Sequence, residues 1–121
     1  MEPTVRRKDR GRLAGVLRSI QHPGGKVSVR YRTGDLEVML VEVAGQNSLV
    51  DPALWGGSSW HLVLDGQALF HVGTARWELL PDESLSLDAD TPFTIMNPSP
   101  ARLRVLSVVT GGDTAENGRQ P

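Results

Sequence analysis

The chain contains no cysteine, few aromatic residues and no long hydrophobic run. The absence of cysteine excludes disulfides, thiolate metal sites and a cysteine nucleophile. No stretch of the 121 residues approaches the ~18 apolar residues of a membrane span. The basic segment 1–12 lacks the apolar core of a secretory signal. We therefore expect one domain of a soluble, cytoplasmic protein with no membrane partner.

The charges are separated along the chain, although the net charge is only −1. Residues 1–34 hold nine basic and two acidic side chains, whereas residues 35–90 hold ten acidic side chains and one basic one. The basic arm either docks on its own body or a partner subunit, or contacts nucleic acid. The first alternative is favoured, because no aromatic residues are interleaved with the basic ones and no recognition motif is present.

A short helix is predicted before the first β pattern. Its apolar stripe at i, i+3, i+4 and i+7 comprises Leu13, Val16, Leu17 and Ile20. Gly11 and Gly15 weaken this helix, and Pro23 ends it. We expect residues 1–25 to form a basic arm with this helix, which lies on the outside of a β domain.

Residues 26–110 show the alternation and turn spacing of an all-β sandwich or barrel. Turn-forming residues separate short segments with β character at intervals of eight to twelve residues. The predicted strands are Lys26–Arg32, Asp35–Val43, His61–Leu64, Ala68–Val72, Arg76–Leu80, Ser84–Leu87, Pro92–Met96 and Leu103–Thr110. The polar tail 111–121 has no periodicity and is predicted to be disordered.

The dipeptide Asp65-Gly66 lies between two apolar runs and predicts a two-residue hairpin. Pairing across this turn would place His61 opposite Phe70 and Trp60 opposite His71. One face would then hold His61, Val63, Ala68, Phe70 and Val72, and the other would hold Trp60, Leu62, Leu64, Leu69 and His71. Because both faces are apolar, the second face must also be covered, and we predict a homodimer contact there.

The segments HLVLDGQALFHVG, residues 61–73, and LLPDESLSLDADTPFTIMN, residues 79–97, resemble the two motifs of the cupin superfamily. The resemblance is to its small single-domain members. In the second segment the matching positions are Leu79, Pro81, Leu85, Leu87, Pro92 and Asn97. The resemblance implies a double-stranded β-helix, that is, a small jelly-roll barrel with a functional site in its mouth.

The chain departs from the family at the metal-binding positions. Metal-binding cupins carry two His and a Glu in the first motif and a His in the second. The resemblance places the Glu at Ser59, the two His near Ala53 and Trp55, and the last His at Phe93. We therefore predict that the usual metal site is absent, that no cofactor is bound and that the barrel mouth is aromatic.

Six residues form the predicted ligand pocket: Trp55, Ser59, His61, Phe70, Trp77 and Phe93. His61 has three interpretations: a general base or ligand-binding residue, a core histidine bonded to Ser59 or a carbonyl, or part of a replacement metal site with Asp or Glu. Trp77 is expected to face the interior beside Leu79 and to fill the core.

Three functions follow as hypotheses. The first is a metal-free module whose aromatic mouth binds a small organic ligand, or which acts as a sensory or assembly partner. The second is a cupin-type enzyme, either an isomerase or epimerase or a degenerate metal-dependent dioxygenase. His61 would be its base, and Tyr31 would be its acid if that strand faces inward. The third is a nucleic-acid-associated protein that uses the basic arm.

Overall fold

The computed structural model describes residues 16–50 and 57–110, and every regular element within these ranges is a β-strand. The predicted all-β class is therefore confirmed. The strands are β1 (Arg18–His22), β2 (Gly25–Thr33), β3 (Leu36–Val43), β4 (Ser48–Leu49), β5 (Ser58–Asp65), β6 (Ala68–Val72), β7 (Ala75–Leu79), β8 (Ser84–Leu87), β9 (Thr94–Met96) and β10 (Leu103–Thr110). All eight predicted strands are present, whereas β1 and the two-residue β4 were not predicted.

Two antiparallel sheets enclose the core. The larger sheet has the order β1-β2-β3-β10-β5-β8, and the smaller has the order β4-β9-β6-β7. Burial along β10 alternates strictly, with Leu103, Val105, Ser107 and Val109 buried. This period of two directs one side of each strand toward the other sheet, where valines of the larger sheet meet Phe70 and Ile95 of the smaller one.

The predicted N-terminal helix is wrong where the structure describes it. Arg18–His22 is an edge strand, and Ile20 pairs with Val27 of β2. A short helix without tertiary packing is only marginally stable in water. Pairing with β2 gives the backbone N–H and C=O groups of these residues hydrogen-bond partners, so the strand is formed instead. Residues 1–15 of the basic arm, which include Leu13, and the tail 111–121 lie outside the described residues.

The predicted hairpin register at Asp65-Gly66 is also wrong. β5 pairs with β10 and β8, whereas β6 pairs with β7 and β9, so this turn carries the chain from one sheet to the other. Gly66 has a φ of 96°, but Asp65 does not share the positive φ that a type I′ turn requires at both positions. The assignment of faces is nevertheless correct, because His61 and Phe70 are buried while Trp60 faces outward.

Rows of directly paired residues run across the inner face of the larger sheet, since paired residues share a face. The row at one end of the barrel comprises Arg32, Glu37, Val109, Ser59 and Leu87. We call this end the barrel mouth and this row the mouth row. The His61 row beneath it comprises Arg18, Val29, Met39, Ser107, His61 and Leu85. In β2, β3, β10 and β5 the next row consists of Val27, Val41, Val105 and Val63, and Ile20 of β1 pairs with Val27.

The opposite end of the barrel is closed by Asn97, which is buried. Its Nδ2 donates to the carbonyls of Val43, Ala44 and Ala101, and its Oδ1 accepts from the N–H of Ser99. One side chain thus ties together the loops that follow β3 and β9. Within residues 16–50 and 57–110, no helix has the length and apolar character needed to span a bilayer.

Candidate functional site

His61 is fully buried between the two sheets, and both of its ring nitrogens contact serine hydroxyls. Nδ1 lies 2.7 Å from Oγ of Ser107, and Nε2 lies 2.9 Å from Oγ of Ser59. A neutral imidazole donates through one nitrogen and accepts through the other, and a hydroxyl can do either. The two serine hydroxyls therefore provide hydrogen-bond partners for both nitrogens of a neutral imidazole.

Two aromatic rings from the smaller sheet side of the barrel flank the imidazole. The centroid of Phe70 lies 5.2 Å from that of His61, and the centroid of Phe93 lies 5.1 Å away in an edge-to-face arrangement. The two phenyl rings stack on each other at 5.9 Å. The three rings form an aromatic cluster in which the serine hydroxyls are the neighbouring polar groups.

Burial lowers the pKa of His61 from its ordinary 6.5 to about 4, because the charged imidazolium is poorly solvated there. At neutral pH the ring is therefore uncharged. A general base is most effective when its pKa lies near the working pH. The low pKa and the two serine contacts therefore argue against His61 as a general base and favour the interpretation as a core histidine bonded to Ser59.

The residues at the family's metal positions do not fit a divalent cation. Ser59 offers one hydroxyl that already contacts His61, and the buried Phe93 offers no donor. Such a metal needs several imidazole or carboxylate ligands at about 2.0–2.2 Å. In the described part of the chain, no three His, Cys, Asp or Glu side chains form a group that could hold a metal. Ala53 and Trp55 lie outside it.

Trp77 departs from its predicted role as core filling. It pairs with Phe70 and so lies on the inner face, but its side chain is 50% exposed. The reason is its position on β7, which is an edge strand of the smaller sheet. Of the predicted pocket residues, the structure brings together Ser59, His61, Phe70 and Phe93, and it places Trp77 at the edge of the inner face.

An ionic cluster at the barrel mouth was missed by the sequence analysis. Glu37 lies on the inner face beside Val109, and Arg32 donates to its Oε2 through Nε at 2.8 Å and through Nη2. Arg18 Nη2 lies 4.0 Å from the same oxygen. The alternation of β3 contains the signal, because Glu37 shares its parity with Met39, Val41 and Val43.

The centre of the outer face of the larger sheet is apolar. Trp60 pairs with Val108, and Leu62 pairs with Leu106, which in turn pairs with Leu40. The homodimer contact expected on this face stays a prediction. Tyr31 pairs with Val38 on the same outer side and is 55% exposed, so it does not face His61 and its suggested role as an acid is wrong.

A separate shallow cavity of about 450 Å³ lies at the Asn97 end of the barrel. Pro23, Gln46, Asn47, Ser48 and Met96 contribute to its lining. It contains none of the predicted pocket residues. The candidate site therefore consists of the aromatic cluster and the polar groups of the mouth row above it.

Comparison with solved structures identifies the fold. A cupin superfamily protein from Desulfitobacterium hafniense superposes with a TM-score of 0.61 at 16% identity, covering 75% of this chain and 81% of that one. A Klebsiella pneumoniae protein with a double-stranded β-helix domain gives 0.65 at 20% identity, covering 78% and 83%. The cupin domain of Schizosaccharomyces pombe Cnp3 gives 0.68 at 18% identity, covering 85% and 74%.

These similarities establish that the chain folds as a double-stranded β-helix of the cupin kind, as predicted. No protein-family model matches the chain, and no curated protein is significantly similar to it. The low identities mean that the comparisons describe the fold alone.

Proposed function

We propose that the protein is a cupin-fold module that binds a small organic ligand at the barrel mouth without a metal ion. The observation that carries this proposal is the replacement of metal-binding chemistry by the aromatic cluster of His61, Phe70 and Phe93. Apolar and aromatic walls with a few oriented polar groups are typical of sites for small organic molecules. Ser59 supplies one such group, and the ions of the mouth row supply others.

The neutral state of His61 supports binding in preference to acid–base catalysis. A buried ring with a pKa of about 4 and two hydroxyl partners is a rigid part of the wall. The enzyme hypothesis would need a base with a free nitrogen, and the removal of Tyr31 from the site takes away its suggested acid. The nucleic-acid hypothesis depends on the arm from Arg6 to Arg18, of which residues 6–15 lie outside the described ranges, and it stays an untested alternative.

The test is a screen of small organic compounds against the full chain by two-dimensional NMR, with the perturbed backbone amides mapped onto β5 and β10. A ligand at the barrel mouth should perturb Ser59 and Val109 together with Phe93. The outward neighbours Trp60 and Val108 serve as internal controls, because they lie one residue away on the opposite face. Perturbations confined to the outer face, or none with any compound, would refute the proposal.

A further inference from the structure

We infer that the ligand of the barrel mouth is an elongated organic monoanion, a carboxylate with an aryl or alkyl body. This inference rests on the function proposed above. Its structural basis is the ionic cluster of Arg18, Arg32 and Glu37 on the inner face of the larger sheet. Arg32 and Glu37 lie in the same row as Ser59, and Arg18 pairs with Val29 in the row beneath it. Charged side chains on the inner face of a barrel are costly unless they are paired or face a ligand or solvent.

The cluster carries one positive charge more than Glu37 balances. The two guanidinium groups share a single carboxylate, and both remain about half exposed. The 4.0 Å contact of Arg18 is too long for a hydrogen bond. Among the described residues Arg18 therefore keeps its N–H donors available, and its side chain stays at the rim.

The chemistry of guanidinium selects the ligand's head group. Its planar fork matches a carboxylate or a phosphate in a two-bond arrangement. A single surplus charge is balanced by a carboxylate, whereas a phosphate monoester carries about −1.5 to −2 at neutral pH. The charge balance therefore favours the carboxylate.

The spacing of the strands sets the length of the ligand. Glu37 and Ser59 both pair with Val109 and so lie two strands apart, which is about 10 Å along the sheet. A carboxylate held by Arg18 and Arg32 therefore lies about two strands from Ser59, and the inferred apolar body spans this distance past Val109. Val109 and Ser59 are both buried, so the ligand replaces the groups that now cover them. Beneath Ser59 lies the His61 ring, in contact with Phe93.

The experiment measures binding of 4-phenylbutyrate to the full chain by calorimetry. Its neutral amide, its amine analogue, acetate and 3-phenylpropylphosphonate are the comparison ligands. We expect the carboxylate to bind about tenfold or more tightly than the amide, and acetate to bind more weakly because it lacks the apolar body. Arg18→Gln and Arg32→Gln should each weaken carboxylate binding by about tenfold.

Arg102→Gln is the matched control, because Arg102 pairs with Glu42 on a different part of the surface and its loss changes the net charge equally. If this variant weakens binding as much as Arg18→Gln does, the inference is overturned. Tighter binding of the amide, the amine or the phosphonate would also overturn it. If neutral compounds from the screen perturb Ser59 and Val109 while the carboxylate does not, only the anion inference fails. If no compound perturbs them, the proposed function fails as well.

Discussion

Ser107 and His61 face each other directly across strands β10 and β5, and their hydroxyl and Nδ1 lie 2.7 Å apart. Both residues are fully buried. The pair holds the imidazole plane in place from the side opposite Ser59. The position of the ring between Phe70 and Phe93 is therefore fixed by hydrogen bonds as well as by packing.

Substitution of Ser107 by alanine should destabilise the protein, because it leaves a buried imidazole nitrogen without this partner. We expect the free energy of unfolding to fall by about 1–3 kcal/mol. Urea denaturation of the two proteins measures the difference. Ser86→Ala is the control, since Ser86 lies exposed on β8, and it should change stability by less than about 0.5 kcal/mol. Equal effects of the two substitutions would contradict the role assigned to Ser107.

The buried state of His61 predicts a dependence of stability on pH. The unfolded chain takes up a proton near pH 6.5, whereas burial holds the pKa in the folded state at about 4. Between these values the unfolded state binds more protons, so stability falls as the pH is lowered from 6.5 toward 4. The loss attributable to His61 is about 3 kcal/mol at pH 4.

Two glutamine variants separate the contribution of His61 to the pH dependence of stability from that of the Asp and Glu side chains. Denaturation of the wild type, His61→Gln and His71→Gln should be compared across this pH range. His61→Gln should remove most of the decline, while His71→Gln should retain it. A decline of the same size in the His61→Gln protein would show that other groups cause it.

Asn97 should tolerate the loss of its amide poorly. Its Nδ2 donates to three carbonyls, so Asn97→Asp would place an oxygen against them. We expect a loss of about 2–4 kcal/mol in the free energy of unfolding. Asn47→Asp is the comparison, because the exposed side chain of Asn47 donates to one carbonyl among the described residues, that of Gly45. Thermal denaturation should show a much larger shift for Asn97→Asp, and the reverse order would be inconsistent with its role in closing the barrel.

Two glycines with positive φ should differ in their response to alanine. Gly66 has a φ of 96°, and an added Cβ would lie 2.9 Å from the carbonyl oxygen of Arg102. Gly73 has a φ of 61°, but an added Cβ would meet open space. Gly73→Ala should cost about 1–2 kcal/mol for the left-handed backbone alone, and Gly66→Ala should cost more. Chemical denaturation of both variants tests this order.

Local alternation in the sequence was sufficient to predict the all-β class and which residues of β5 and β6 face inward, and the resemblance to cupins implied the double-stranded β-helix. His61 and Phe70 are buried and Trp60 faces outward, as their parity indicates. The partner of each strand was not predictable in the same way. Asp65-Gly66 has the composition of a hairpin turn, but the strands beside it join different sheets through contacts with residues distant in sequence.

The candidate site was predicted only in part, because some of its residues are brought together by strand pairing that the sequence does not reveal. The parity of β5 and β6 and the resemblance to cupins placed Ser59, His61, Phe70 and Phe93 together. The contribution of Ser107 depends on the pairing of β10 with β5, which no local pattern encodes. Glu37 was overlooked although its parity matched that of Met39. The exposure of Trp77 follows from an edge position that only the topology reveals.

The passage of the chain between sheets at Gly66 has a mechanical consequence. Residues 59 to 70 form one continuous segment that contributes to opposite walls of the interior, Ser59 and His61 on one side and Phe70 on the other. The covalent link between these walls at this point consists of only Gly66 and Gln67. Lengthening that link would loosen the coupling of His61 to Phe70 along the chain, while the strand ladders of the two sheets do not depend on it.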